Sequence, residues 1–431
     1  MKFFGTISKL TSWIIPSKQC RILYKDFLIS LDLKKDFVLV HENYERKLKN
    51  LQNKTDKIKV AFLIRENQKW TYQSLYEKLE KSEKFEPIIL VSILELVSKG
   101  KDKIRNNLEK NYNFFKSKGM NVDYAYKDGS FVDLKKFNID MLFYDQPWDL
   151  PNLHKPHNVS EFALTFYASY SYELIDNRQH YMSDFHKFLY KFFVDNELNL
   201  NRYESYMKGN SDNCIVTGYI KLDEYLKPSQ ECKIWKDKDK FKIIYAPHHS
   251  FEKKGIHFAT FDKNGKFILE LAKKHPETTW VFKPHPRFKY ALVRNNIMTE
   301  NEAEEYFEEW NKIGTVYDCG NYINLFQTSD LMITDSISFL AEYILSGHPI
   351  IRLLSSNHAK MNQIGDKINN VCYATRDNNE LYKNFNNIIN RIDEKAEDRT
   401  KLISTIYNKN ESVYDKIYGC LLSFIGVNNE S

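Results

Sequence analysis

The sequence predicts an α/β protein in which two open, parallel sheets, each covered by helices, face one another across a cleft. Three observations carry this. Short apolar runs of strand length alternate with stretches of helical period along most of the 431 residues. The alternation pauses at a lysine-rich segment over residues 227–240, which contains Pro228, and then resumes. A chain of this length suits two or three domains with ample core.

Residues 1–50 stand apart as an N-terminal helical extension. Phe3, Phe4, Ile7, Leu10, Trp13, Ile14 and Ile15 recur at roughly helical spacing, with Lys2, Lys9, Lys18, Arg21 and Lys25 among them. A basic amphipathic stretch with a tryptophan suits a membrane interface. An added helix packed on the main domain explains the pattern equally well, since Pro16 interrupts it and the apolar face is short.

The first α/β unit spans residues 51–227. Strands are expected at 60–64, 87–93, 122–126 and 139–144, with helices over 71–81 and 102–119. A region rich in Tyr, Phe and His follows up to residue 186, and 214–219 closes the unit. The second unit, residues 228–431, repeats the alternation. Strands are expected at 243–246, 280–282, 314–317, 331–334 and 349–354. The helices fall at 267–274, 301–310, 322–328 and 339–345, and the C-terminal region from 379 to 424 reads as helical.

Composition narrows the function classes. Aromatic residues reach 15% and glycines number only 14, which excludes a disordered or low-complexity chain. Lysine and arginine total 63 against 57 acidic residues; this charge of +6 is too small to indicate nucleic-acid binding. The six cysteines include no C-x-x-C pair, which favours reduced thiols in the cytosol over zinc. No apolar run approaches bilayer length and no signal-peptide core is evident, so a cytoplasmic protein is expected, with peripheral contact at the inner face of the membrane left open.

The chemistry concentrates where three strands of the second unit end. Tyr245-Ala246-Pro247-His248-His249 closes the first. Lys283-Pro284-His285-Pro286-Arg287 closes the second, its prolines stiffening the loop that carries His285. Thr334-Asp335-Ser336-Ile337-Ser338 links the strand at 331–334 to a helix. In an open parallel sheet such ends form the ligand-binding edge. Imidazole, guanidinium, ammonium and hydroxyl groups gathered there suit an anionic ligand such as a diphosphate.

In this reading His285, as an imidazolium, neutralises or protonates a leaving phosphate, and Lys283 and Arg287 add positive charge. His248 and His249 reach donor or acceptor phosphates. Thr334, Ser336, Ser338 and the first amides of the helix bind phosphate, with Asp335 orienting the loop or capping the helix. Glu342, one helical turn on, could accept from a ribose hydroxyl. Asp145, just after a strand of the first unit, is a candidate general base facing the cleft; beside Trp148 it could equally be structural. Asp237-Lys238-Asp239 has the form of a metal–nucleotide D-x-D, but its lysine-rich setting reads as solvated charge. No metal site is assigned, although a divalent ion such as magnesium stays open as a cofactor. The sequence lacks G-x-x-x-x-G-K-[ST], G-x-G-x-x-G and G-x-S-x-G, which disfavours P-loop kinases, dehydrogenases and α/β-hydrolases.

Two doubly wound halves joined by a linker have the layout of GT-B enzymes, whose second domain usually holds a nucleotide donor. The three strand-end motifs, in this order and spacing, resemble the CDP-glycerol glycerophosphotransferase family of teichoic-acid and capsule assembly. That family shows Tyr-Ala-Pro, then a basic residue with His-Pro, then Thr-Asp-Tyr-Ser-Ser. Its counterparts are Tyr245-Ala246-Pro247, Lys283-Pro284-His285-Pro286 and Thr334-Asp335-Ser336-Ile337-Ser338. The resemblance covers residues 241–354 well and the first half loosely.

The resemblance implies that His285 contacts the donor diphosphate and that Ser336 and Ser338 bind phosphate. The donor would be a CDP-activated alcohol phosphate and the acceptor a glycan or lipid-linked glycan. The family's N-terminal His-Gly acceptor motif has no clear counterpart; the aromatic run Phe166-Tyr167-Ala168-Ser169-Tyr170 is the expected substitute. Rival readings are a nucleotide-sugar glycosyltransferase, a non-hydrolysing UDP-sugar 2-epimerase, which shares a Thr-Asp-Ser turn followed by Glu, and a non-catalytic scaffold that recruits a synthase to the membrane.

Overall fold

A computed structural model of the chain describes residues 18–100, 107–176, 184–207, 211–251, 256–318, 322–356, 358–407 and 410–427. The amphipathic pattern over residues 3–15 lies outside them. Helix α1 (Lys18–Gln52) packs its last turns on the first unit, burying Val40, Tyr44 and Leu51. The Tyr44 hydroxyl pairs with Thr165 Oγ1 at 2.5 Å and donates to the Phe188 carbonyl at 2.6 Å. Among the described residues no helix is long and apolar enough to cross a membrane.

The first sheet comprises β1 (Ile58–Ile64), β2 (Phe85–Val91), β3 (Val122–Tyr124), β6 (Met141–Tyr144), β7 (Leu164–Ala168), β8 (Lys191–Val194) and β9 (Cys214–Val216). Strands β4 (Tyr126–Lys127) and β5 (Ser130–Phe131) form a separate hairpin. The second sheet comprises β10 (Phe241–Ala246), β11 (Thr278–Phe282), β12 (Thr315–Val316), β13 (Leu331–Thr334), β14 (Ile350–Leu353) and β15 (Tyr373–Thr375). The orders are β3-β2-β1-β6-β7-β8-β9 and β12-β11-β10-β13-β14-β15. Every pairing within them is parallel.

Each sheet is laid down outward from its first strand, then resumes on that strand's other side. The reversal leaves a crevice at the carboxyl ends, between β1 and β6 in one sheet and between β10 and β13 in the other. The sequences follow from this. Strands buried on both faces need unbroken apolar runs, and all of Met141–Tyr144 and Leu331–Thr334 are buried.

Strands β7 and β8 correct the expected aromatic acceptor surface. Phe166 and Tyr167 lie in the middle of the first sheet and are fully or almost fully buried. Residues 227–240 do not hang free as a spacer either. Cys232 and Trp235 are buried, and the Trp235 indole donates to Thr328 Oγ1 at 3.0 Å.

The C-terminal helices were expected with the second unit, but the last one leaves it. Helix α2 (Gln73–Glu80) of the first unit receives α3 (Val413–Phe424), which buries Val413, Tyr414, Ile417 and Leu421. The Tyr414 hydroxyl donates to the Thr71 carbonyl at 3.0 Å. Asp223 accepts from Ser412 Oγ and the Val413 and Tyr414 amides at the start of α3. The units also meet near β14, where Asn362 donates to the carbonyls of Leu174 and Glu173 at 2.9 and 2.6 Å.

Candidate functional site

The two crevices are filled differently. In the first sheet, Arg65 follows β1 and Asp145 follows β6, and their side chains form an ion pair at 2.7 Å with both fully buried. Asp145 also accepts from the Arg65 amide at 2.7 Å, and the guanidinium donates to the carbonyls of Gln146 and Trp148. Asp145 is therefore the counter-ion of a buried arginine, not the free base facing the cleft that its strand-end position suggests.

In the second sheet the register brings the three motifs level. Ala246 pairs with Thr334 and Tyr245 with Phe282, so β11, β10 and β13 end side by side. Side chains then lock the ends together. Thr334 Oγ1 donates to the Ala246 carbonyl at 2.6 Å, and the Lys283 amide donates to the Tyr245 carbonyl at 2.7 Å. Asp335 accepts from the His248 amide at 2.6 Å, and from the Thr260 amide and hydroxyl at 2.7 and 2.8 Å. Burial, opposed by these donors, raises the Asp335 carboxyl to about 7. Thr334, expected as a phosphate ligand, is thus framework, and Asp335 orients the loop, one of the two roles expected of it: their polar atoms are spent holding the β10 loop on the β13 turn.

That clamp gathers three imidazoles. The ring of His249 stacks on that of His285 at 3.8 Å between centroids; His248 lies 4.5 Å from His249 and 6.0 Å from His285. The Nδ1 atoms of His248 and His285 are used as acceptors. His285 Nδ1 takes the Arg287 amide at 3.1 Å. His248 Nδ1 takes the Ser250 amide at 3.2 Å and pairs with Ser250 Oγ at 2.8 Å; that hydroxyl itself accepts from the Phe258 amide. This bonding assigns the proton of the neutral His248 and His285 rings to Nε2, leaving an N–H donor on each.

Burial, then the neighbouring histidines, lower His285 to about 2, with Arg287 and Lys283 adding to the effect. Burial and His249 lower His248 to about 3. Both rings are neutral donors at neutral pH, which corrects the expectation of a standing imidazolium at His285.

Positive charge enters beside them. Lys283 is buried, with its ammonium 5.0 to 5.5 Å from the ring centres of Tyr317, Tyr322 and Phe339, within cation–π range. Arg287 is half-buried at the entry to the next helix. Ser336 is buried at the start of the helix Ile337–Tyr343 and makes no side-chain cap bond, while Ser338 is exposed.

Glu342 does not stand ready for a ribose. It is buried, and its carboxylate accepts from Tyr219, Lys221 and Tyr225 at 2.6, 2.9 and 3.2 Å. Asp237 pairs with Lys240 at 3.4 Å, as solvated charge would. Among the described residues no three His, Cys, Asp or Glu side chains are placed to hold a metal ion.

Sequence reasoning missed two cavities, neither lined by the three histidines. One, of about 720 Å³, lies between the ends of β8 and β9 and residues 400–416. The other, of about 370 Å³, lies between the loop after β1 and Tyr322 of the second unit. Their walls come from segments far apart in sequence, so no local motif announces them.

No family model matches the sequence, and no curated protein matches it at a significant level. Solved structures do match in fold. UDP-GlcNAc 2-epimerase from Neisseria meningitidis, bound to UDP-GlcNAc, is 15% identical with a TM-score of 0.56, over 85% of this chain and 100% of its own. The wall teichoic acid polymerase TagF, soaked with CDPG, is 12% identical with a TM-score of 0.54, over 93% and 97%. MnaA of S. aureus, in complex with UDP, is 12% identical with a TM-score of 0.51, over 87% and 98%. These similarities, with the two doubly wound sheets, establish that the chain has the GT-B-like α/β fold.

Proposed function

We propose that this protein transfers an alcohol phosphate of the glycerol-phosphate type from a CDP-activated donor to a glycan acceptor, releasing CMP, in the synthesis of a capsule or other surface polysaccharide. The observation that carries the reading is the cluster of three imidazoles, His249 stacked on His285 with His248 tilted against them, beside Lys283 and Arg287 at the crevice between β10 and β13. The spacing of the three strand-end motifs and the shared fold with TagF support this donor class.

The acceptor oxygen forms a bond to the β-phosphorus as the bond from that phosphorus to the bridging oxygen breaks. The acceptor's proton passes to solvent and CMP leaves as its anion. Catalysis of this kind is mainly positioning and charge stabilisation. The Nε2–H groups of His248 and His285 donate to phosphate oxygens, and Lys283 and Arg287 supply fixed positive charge. A diphosphate entering the crevice offers acceptor oxygens to the neutral rings, and the Nε2–H of His285 stabilises by hydrogen bonding the charge that builds on the leaving CMP. Asp145 is committed to Arg65, so no general base is assigned; a loose phosphoryl-transfer transition state demands little of one. The carboxylates near the crevice are also committed, and no step is routed through a metal. The acceptor would be met at the inner face of the membrane, with the basic residues 1–30 as the contact.

A glycosyltransferase using a nucleotide sugar is the second reading, because the same cluster suits any nucleoside diphosphate and two of the fold neighbours hold UDP or a UDP-sugar. The commitment of Glu342 to Tyr219, Lys221 and Tyr225 argues against the epimerase parallel. Purified protein offered CDP-glycerol, CDP-ribitol and UDP-sugars with glycan acceptors separates these. CMP release that falls at least about a hundredfold in His285→Ala is expected. UDP release would move the assignment to glycosyl transfer, and no turnover with any donor would favour a scaffold.

A further inference from the structure

The 370 Å³ cavity lies where the carboxyl edge of the first sheet meets the second unit. We infer that it is the acceptor subsite and that it takes a sugar ring carrying a negative charge. The inference rests on the transferase reading and supplies the acceptor class which that reading leaves open.

Its place comes from Tyr322. This ring lines the cavity, and its other neighbour is the Lys283 ammonium, 5.0 Å from the ring centre and two residues from His285. The Tyr322 hydroxyl accepts from Lys221 at 2.8 Å, and Lys221 also pairs with Glu342. One wall of the cavity is thus shared with the cage that holds the donor-site lysine.

Its chemistry comes from the first unit. Trp70 and Phe114 are half-buried and line the cavity, giving the flat apolar surface on which a pyranose ring can lie. Trp70 is fixed by edge contacts to Phe62 and Phe115, at 5.5 and 5.1 Å, and donates to Gln73 Oε1 at 3.0 Å. Beside it Thr71 is 4% exposed, and its hydroxyl has no hydrogen-bond partner. The buried side-chain oxygen of Asn67 also lacks one. Buried polar atoms are ordinarily satisfied, so two orphans lining one cavity indicate a hydroxylated ligand that completes them.

Charge selects among such ligands. Lys110 and Lys118 are exposed, line the cavity and make no ion pair among the described residues. The Lys118 ammonium donates to the neutral Gln73 Oε1 at 3.2 Å and rests 4.9 Å from the Phe114 ring centre. Glu224, the one carboxylate in the lining, already pairs with Lys227 at 2.9 Å. A neutral sugar would gain nothing from these two solvated ammonium groups, whereas a carboxylate or phosphate substituent would gain their attraction.

The test titrates the full-length protein with methyl glucuronoside, methyl glucoside and inorganic phosphate by ligand-observed NMR, and follows CDP-glycerol by thermal shift on the same samples. Saturable binding of the glucuronoside, at least about tenfold tighter than the glucoside or phosphate, is expected. Lys110→Glu with Lys118→Glu should abolish that preference, and Thr71→Val, which keeps shape and fold, should weaken glucuronoside binding severalfold. Both variants should keep the wild-type thermal response to CDP-glycerol. Equal binding of glucoside and glucuronoside, phosphate binding as tightly as the glucuronoside, or unchanged affinity in both variants overturns the subsite. Glucuronoside binding without any response to CDP-glycerol overturns the donor reading alone.

Discussion

Acid should destabilise this protein through the same histidines that form the candidate site. An unfolded histidine takes up a proton near pH 6.5, whereas His248 and His285 resist protonation until about pH 3 and pH 2 in the folded chain. Between those values the unfolded state holds more protons, so the stability these rings contribute is full above pH 6.5 and drains away as pH falls. Each pH unit costs about 1.4 kcal/mol per ring. From pH 6.5 to 5 the loss is about 2 kcal/mol for each, or about 4 kcal/mol for the pair. Asp335 works the other way: its folded carboxyl, raised to about 7, takes a proton before the unfolded one does and adds stability as pH falls below 7.

A difference measurement removes the aspartate and every other group. Urea unfolding at pH 7 and pH 5 is compared between wild type and the double variant His248→Asn with His285→Asn. Asparagine offers an oxygen that can keep the bonds from Ser250 and Arg287. The wild type should lose about 4 kcal/mol more than the variant over this interval. Equal losses in the two proteins would refute the claim that these rings are held neutral by burial.

Two further outcomes follow. Asp145→Asn should cost about 3 kcal/mol or more in urea unfolding, because it leaves the Arg65 guanidinium buried without its counter-ion; a variant of wild-type stability but without turnover would restore Asp145 as a catalytic base. Removal of residues 1–30 should weaken co-sedimentation with anionic liposomes, and unchanged sedimentation would exclude that segment as the membrane contact.

The strand ends of the second unit were legible because each is a local pattern. A run such as Leu331-Met332-Ile333-Thr334 is buried on both faces, and the polar residues after it mark where the strand leaves the sheet. The approach of His248 and His285, whose ring centres lie 6.0 Å apart, follows from parallel strands ending level, and Asp335, beside Ser336, accepts from the His248 amide. What the pattern could not give was the partner of each group. Asp145 and Glu342 carry acid side chains at plausible positions, but Arg65 is 80 residues from the first and Lys221 is 121 from the second. Likewise the period of Val413–Phe424 shows a helix with one apolar face, and not which sheet that face will cover. The aromatic run Phe166-Tyr167-Ala168-Ser169-Tyr170 reads as a binding surface in the sequence because Phe and Tyr serve cores and ligands alike, but Phe166 and Tyr167 belong to the buried strand Leu164–Ala168.

The central claim is that the groove above β10, β11 and β13 grips the diphosphate of an activated nucleotide. A crystal structure of the protein soaked with CDP-glycerol tests it most directly. The account predicts phosphate oxygens within hydrogen-bonding distance of Nε2 of His285 or His248, with the Ser336 hydroxyl close by. Density for the nucleotide anywhere else, with the three imidazoles untouched, would contradict it.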